Sequence, residues 1–303
     1  MMRFDSLRRL RTWPAALLLA VALPLSGCGD GILVAPEAAN TVHVTTFGDS
    51  NTDIAWGTDP PRILARSYVS DAGPRLAPGA HNHPAQLAGL VEARWRATQT
   101  LPIRVVNHGI SGTTTGGGGH GGRNRNDNGA LNSRSVSDGV TRFEAEVLGR
   151  GYPWTGAGIR RVNAYVPGPA DFAYISMGTN DRVDGITGPV TLENLEWMVE
   201  RWVAAGHAPD HLVLTTLPPR SDVVGLGEWL PTINAGVREL AARTGTGLID
   251  LAEYTSPDDG LTWRDASLHV GDKIHYTTAV RAWIADQLVA YMVAHPLPVG
   301  AAP

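Results

Sequence analysis

The chain has 303 residues, 43% hydrophobic and 18% charged, with a formal net charge of −4. It is long enough to bury a substantial core, and its acidic balance gives no reason to expect a nucleic acid partner. Cys28 is the single cysteine, which excludes an intramolecular disulfide.

The N-terminus reads as a targeting segment and is set apart from the fold. Arg3, Arg8, Arg9 and Arg11 form a basic region, followed by an apolar stretch from Ala15 to Leu23 that is too short to span a bilayer as a helix. Leu25-Ser26-Gly27-Cys28 then resembles a bacterial lipoprotein signal. The expectation is a signal peptide over 1–27 and a lipid anchor at Cys28 that holds an exported protein in the cell envelope. A flexible tether over 28–40 follows, and then one domain over 41–298.

The first strand is expected in the first half of Val42 to Asp53, where β-branched residues recur and which leads into Gly48. It runs directly into Asp49-Ser50. Ile54 to Asn82 is rich in Pro, Gly, Asp and Arg and reads as an irregular loop. Pro84 suits the first position of a helix, and Leu87, Leu90, Val91 and Trp95 follow at helical spacing. Ile103 to Asn107 is a second strand, ending in a turn over His108 to Thr113. The glycine-rich insertion around 113–170 reads as a surface loop, with a short helix expected over Thr141 to Leu148. Its glycine and Asp/Asn runs lack the repeat or the phosphate-loop pattern that a calcium or phosphate site needs.

Asp171 to Ser176 is a third strand, followed by Met177-Gly178-Thr179-Asn180-Asp181. Helical spacing predicts a helix over Thr191 to Ala205, with Leu192, Leu195, Trp197 or Met198, and Trp202 buried. His211 to Thr216 is a fourth strand, Pro231 to Arg243 a helix, and Gly247 to Leu251 a fifth strand. Ser267 to Tyr276 is a loop. Thr278 to His295 is a last helix with Val280, Ile284, Leu288 and Met292 on one face. Strands separated by helices imply parallel pairing. The fold class is therefore α/β: a three-layer α/β/α sandwich around a roughly five-stranded parallel sheet.

Ligands bind such sheets at the C-terminal ends of the strands. Ser50, Gly112 and Asn180 all follow strands, so all three are placed at that edge. Asp272-Lys273-Ile274-His275 precedes the last helix. Ester hydrolysis through a serine needs a base within hydrogen-bond reach and a carboxylate that fixes the base's tautomer. The Asp-x-x-His spacing lets one short turn supply both, His275 towards Ser50 and Asp272 towards the other ring nitrogen. The Ser50 and Gly112 N–H groups and the Asn180 amide can serve as oxyanion donors.

Here the chain resembles the SGNH hydrolases, also called the GDSL esterase/lipase family. Phe47-Gly48-Asp49-Ser50, Asn107 to Gly112, Gly178 to Asp181 and Asp272 to His275 match four family motifs in order. The resemblance implies a flavodoxin-like fold, Ser50 as nucleophile, and Asp272 and His275 as its partners. It implies Ser50, Gly112 and Asn180 as the oxyanion hole, with no metal and no organic cofactor. Two residues depart from the usual pattern. Asn51 stands where leucine is common, and Tyr276 where proline is usual.

Other residues compete for roles. Asp49 and Asp181 are expected to accept hydrogen bonds within their own turns. His269 is a rival base without a carboxylate three residues before it. His81 and His83 form a His-x-His pair with no third metal ligand in view. Tyr68, Tyr152, Trp154 and Trp229 fall on expected loops, where an aromatic ring can stack on a sugar or aryl group.

The function expected is hydrolysis, through an acyl-enzyme, of short-chain or acetyl esters, with O-acetylated carbohydrate among the substrates. Lipid ester hydrolysis and acyl transfer are variants of the same chemistry. A non-catalytic glycan-binding envelope lipoprotein is the reading from another class.

Overall fold

The computed structural model describes residues 40–53, 85–109, 112–116, 138–150, 170–220 and 227–297. The expected targeting segment with Cys28, the stretch before Pro84 and most of the glycine-rich insertion lie outside these residues. So do His81, His83, Tyr68, Tyr152 and Trp154.

In chain order the elements are β1 (Val42–Gly48), α1 (Ser50–Asp53), α2 (Leu87–Thr98), β2 (Ile103–Gly109) and α3 (Gly139–Glu146). These are followed by β3 (Phe172–Ser176), α4 (Gly188–Ala204), β4 (Leu212–Thr215), α5 (Trp229–Thr244), β5 (Gly247–Ile249), α6 (Leu251–Thr255) and α7 (Thr278–Ala294). The five strands form one sheet in the order β2-β1-β3-β4-β5, and every pairing is parallel. This is the expected α/β sandwich.

Alternation along β3 shows how the layers are built. Phe172 and Tyr174 point to one face, where α2 and α7 supply Leu87, Val91, Trp95, Val280, Ile284, Leu288 and Met292. Ala173 and Ile175 point to the other, against Phe143 of α3, Leu195, Met198 and Trp202 of α4, and Ile233 and Val237 of α5. A strand buried on both faces has no polar side, which is why β3 reads as an unbroken apolar run. On α4, Met198 is fully buried and Trp197 only packs against the core, which settles the alternative left open by spacing.

Several boundaries differ from the sequence reading. β2 continues through His108 and Gly109, because these residues pair with Phe47 and Gly48 of β1. α4 starts at Gly188, with Pro189 in its first turn, where the missing N–H costs nothing. α5 begins at Trp229, which packs partly against the core; Trp229 is thus a helical residue and not a loop aromatic. β5 stops at Ile249, because the Asp250 carboxylate accepts the Glu253 N–H at 3.1 Å and caps a further helix, α6.

Register is what positions the site. Gly48 is level with Gly109 on one side and with Ser176 on the other. The segments after β1, β2 and β3 therefore leave the sheet at one height, side by side.

Candidate active site

Ser50 is the first residue of α1 and is 6% exposed. The turn leading to it is tight. A Cβ at Gly48 would stand 2.1 Å from Thr52 Oγ1 and 2.7 Å from the Ser176 carbonyl oxygen. Only glycine lets β1 pass so close to its own helix and to β3. The Asp49 carboxylate accepts the Asn51 N–H at 2.9 Å and the Asp49 carbonyl the Thr52 N–H at 3.2 Å. Asp49 thus closes its own turn, as expected. Burial raises its pKa above the usual carboxylate range, although the Asn51 N–H and the charges of His275 and Arg220 act in the opposite direction.

Ser50 Oγ lies 2.8 Å from His275 Nε2, and His275 Nδ1 lies 2.6 Å from Asp272 Oδ2. The Asp272-to-His275 turn holds itself together. Asp272 Oδ1 accepts the N–H groups of Ile274 and His275, each at 2.9 Å, and Lys273 between them has a left-handed φ of 62°. Partial burial of Asp272 raises its pKa, but the N–H of His275, its ring and the N–H of Ile274 outweigh burial. The carboxyl therefore sits below its usual range and is ionised at neutral pH. An ionised carboxylate only accepts, so the Nδ1 of neutral His275 carries the proton and Nε2 offers a lone pair to the Ser50 hydroxyl. That is the arrangement a general base needs. The rival His269 is engaged elsewhere: its Nδ1 accepts the Gly271 N–H at 3.0 Å, and its ring lies 5.2 Å from that of Trp263.

The structure places Gly112 and Asn180 on the neighbouring segments. Gly112 has a φ of 78°, which glycine adopts without strain. The next residue, Thr113, donates its hydroxyl to the Gly48 carbonyl at 3.4 Å and ties this segment to the Ser50 turn. Asn180 Nδ2 donates to the Thr113 carbonyl at 2.9 Å, and Asn180 Oδ1 accepts from Arg220 Nη1 at 2.9 Å. Guanidinium is only a donor and a carbonyl only an acceptor, so these partners fix which amide atom is which. One N–H of Asn180 remains beyond the bond to Thr113. An amide N–H on this edge can receive a developing oxyanion.

Asp181 corrects an expectation. Its carboxylate does not close its own turn. Oδ1 accepts the Thr115 N–H at 2.8 Å, while Oδ2 accepts the Thr191 hydroxyl at 2.7 Å and also the Thr115 hydroxyl. It clamps the segment after Gly112 against α4. Complete burial pushes its pKa up to about 7, against the pull of the Thr115 and Thr191 donors.

The two departures from the motif pattern meet. Asn51 Oδ1 accepts the Tyr276 N–H at 3.2 Å. Among the described residues, no group of three or more His, Cys, Asp or Glu side chains is placed to hold a metal ion.

Sequence reasoning missed Arg220 and the buried group Arg142, Glu146 and His108. Arg142 Nε donates to Glu146 at 2.9 Å, its Nη2 donates to the His108 carbonyl, and its guanidinium lies 4.7 Å from the centre of the Phe47 ring. The available signals were weak: an i, i+4 Arg–Glu pair for the cluster, and Pro218-Pro219-Arg220 directly beyond a strand.

Comparison with known proteins agrees with this fold. The model of the GDSL-like lipase/acylhydrolase family matches residues 46–282. None of the curated protein sequences matches the chain. Among solved structures, a lipase/acylhydrolase from Enterococcus faecalis is 19% identical, with a TM-score of 0.52 over 85% of this chain and 98% of its own. A carbohydrate acetylesterase from Sinorhizobium meliloti is 14% identical, with a TM-score of 0.52 over 84% of this chain and 100% of its own. An inhibitor-bound aryl esterase from M. smegmatis is 14% identical, with a TM-score of 0.53 over 84% of this chain and 99% of its own. At such identities the neighbours establish the shared fold. The family match spans the four motifs and most of the chain, and on that ground the protein belongs to the GDSL-like lipase/acylhydrolase family.

Proposed function

We propose that the protein is a serine ester hydrolase that works through an acyl-enzyme on acetyl or other short-chain esters, O-acetylated carbohydrate being the favoured class. The observation that carries this reading is the chain of contacts from Ser50 Oγ through His275 to Asp272, at 2.8 and 2.6 Å.

In the proposed reaction Ser50 Oγ attacks the ester carbonyl carbon while His275 Nε2 takes the hydroxyl proton. The carbonyl electron pair moves onto oxygen. That oxyanion is received by the N–H groups of Ser50 and Gly112 and by the remaining N–H of Asn180. Asp272 stabilises the imidazolium. The intermediate collapses, the alcohol leaves with the proton from His275, and acyl-Ser50 remains. Water then repeats the sequence, losing its proton to His275 and releasing the acid. An alcohol replacing that water turns the same steps into acyl transfer.

One structural neighbour is named as a carbohydrate acetylesterase, another as an aryl esterase and a third as a lipase/acylhydrolase. The polar, glycine-rich sequence after Gly112 offers no long apolar run for an extended acyl chain, which favours small acyl groups.

The test is hydrolysis of p-nitrophenyl acetate, butyrate and octanoate and of acetylated xylan by the full-length protein beside its Ser50→Ala variant. We expect turnover on the acetyl esters and on the xylan, and a fall of about 10⁴-fold or more in the variant. Turnover that survives in Ser50→Ala, or a folded protein inert on every ester, contradicts the proposal. The latter outcome supports the glycan-binding alternative.

A further inference from the structure

Arg220 lies on the segment that follows β4, at the same edge of the sheet as Ser50 and Asn180, and belongs to none of the four motifs. Its Nη1 donates to the Thr179 carbonyl at 2.8 Å and to Asn180 Oδ1 at 2.9 Å. The backbone that carries it is held firmly. Thr216 Oγ1 donates to Asp250 Oδ1 at 2.9 Å and accepts the Ala252 N–H at 2.8 Å. The Leu217 N–H donates to Asn234 Oδ1 at 2.7 Å, and the Leu217 carbonyl accepts from Asn234 Nδ2 at 3.1 Å. Pro218 and Pro219 are both buried, and their rings fix φ up to the arginine itself. The guanidinium is thus delivered from a braced strap to a defined place.

What it does there follows from the chemistry of a carboxamide. Rotation about the terminal bond of an asparagine side chain is broad and roughly two-fold, so a free Asn180 would present oxygen or nitrogen to the site. An oxygen facing a developing oxyanion repels it. Arg220 accepts nothing, so it holds the amide oxygen on the guanidinium, while the Thr113 carbonyl occupies one of the two N–H groups. The result is one N–H with no freedom to turn. The positive charge on the amide oxygen also draws electron density from nitrogen and makes that N–H a stronger donor. The arrangement joins the segments after β2, β3 and β4 through a single side chain.

We propose that Arg220 is a positioning residue for the oxyanion hole, acting through Asn180 and favouring the transition state over the bound ester. This rests on the reading of the site as an ester hydrolase with Asn180 as an oxyanion donor. A donor that counts only when charge has moved onto the substrate oxygen affects kcat and leaves ground-state binding nearly untouched.

The experiment is a double-mutant cycle on the full-length protein with p-nitrophenyl acetate. It uses Arg220→Met, Arg220→Lys, Asn180→Ala and the two double variants, with thermal unfolding followed for each. Arg220→Met is expected to lower kcat about 10- to 100-fold, less than the ~10²–10³ for deleting an oxyanion donor outright, with KM changed less than about twofold. Arg220→Lys keeps a charge and a donor and recovers part of the loss. In the Asn180→Ala background either substitution at 220 should cost less than about threefold, because the group it acts through is gone. Equal losses in the two backgrounds overturn the proposal, as does a rise in KM with kcat unchanged. If Arg220→Met fails to fold, the Arg220→Lys arm of the cycle decides in the same way. Absence of Ser50-dependent turnover in the unmodified protein would instead defeat the hydrolase reading itself, a distinguishable result.

Discussion

Asn51 and Tyr276 show how far a motif can change while its geometry persists. A leucine side chain at 51 has no acceptor and a proline at 276 has no N–H, whereas here the Asn51 side chain and the Tyr276 N–H bond to each other at 3.2 Å. The contact bridges residues 225 apart and links the nucleophile's turn to the residue after His275. At the same scale, Asp272 makes the site depend on pH. Its carboxyl lies below the usual range when folded, so near pH 3–4 the folded protein binds fewer protons than the unfolded chain. Its contribution to stability is complete above about pH 4 and is lost as pH falls through the folded value. Urea unfolding of Asp272→Asn should therefore show a larger loss relative to the native chain at pH 6 than at pH 3. Equal losses at the two values would contradict this account.

At the scale of elements, the junction of β1 and α1 is the tightest point near the site. Gly48 leaves β1 with Thr52 of α1 and the end of β3 both inside the space a side chain would need. Gly48→Ala forces one of these elements to move, and one of the groups it meets is a backbone carbonyl that has no rotamer to change. Overpacking of this kind costs about 1–3 kcal/mol. Urea unfolding should register that loss, and an unchanged midpoint would mean that the junction is looser than the structure describes. α3 supports the neighbouring segment from below. Arg142, paired with Glu146 four residues on along one helical face, reaches the backbone of β2 at His108. Their charges are fully buried but paired, the condition under which buried charge is tolerated.

At the scale of the molecule, strands, helices and the four motifs were legible in the sequence because each is a local pattern. β-branched runs mark β1, β2 and β4, a 3.6-residue period marks α7, and motif residues stand immediately beyond strands. Boundaries moved where tertiary contacts decided them. β2 runs on because β1 lies beside it, and β5 stops because Asp250 caps α6. What the sequence hid is non-local. Arg220 reaches Asn180 across 40 residues, and Asp181 reaches Thr115 across 66, so no spacing rule announces either contact. The expected bond of Asp181 to its own turn was the local guess that such a contact defeats. Strand order, which brings these segments side by side, also came only from the fold.

The proposed mechanism requires Ser50 Oγ to be the atom that becomes acylated. The most direct measurement is mass spectrometry of the full-length protein after reaction with a p-nitrophenyl phosphonate, with the adduct mapped by peptide sequencing. One adduct per chain is expected, located on Ser50, absent from Ser50→Ala and formed far more slowly by His275→Ala. An adduct on any other residue, or a folded protein that takes up none, would contradict it.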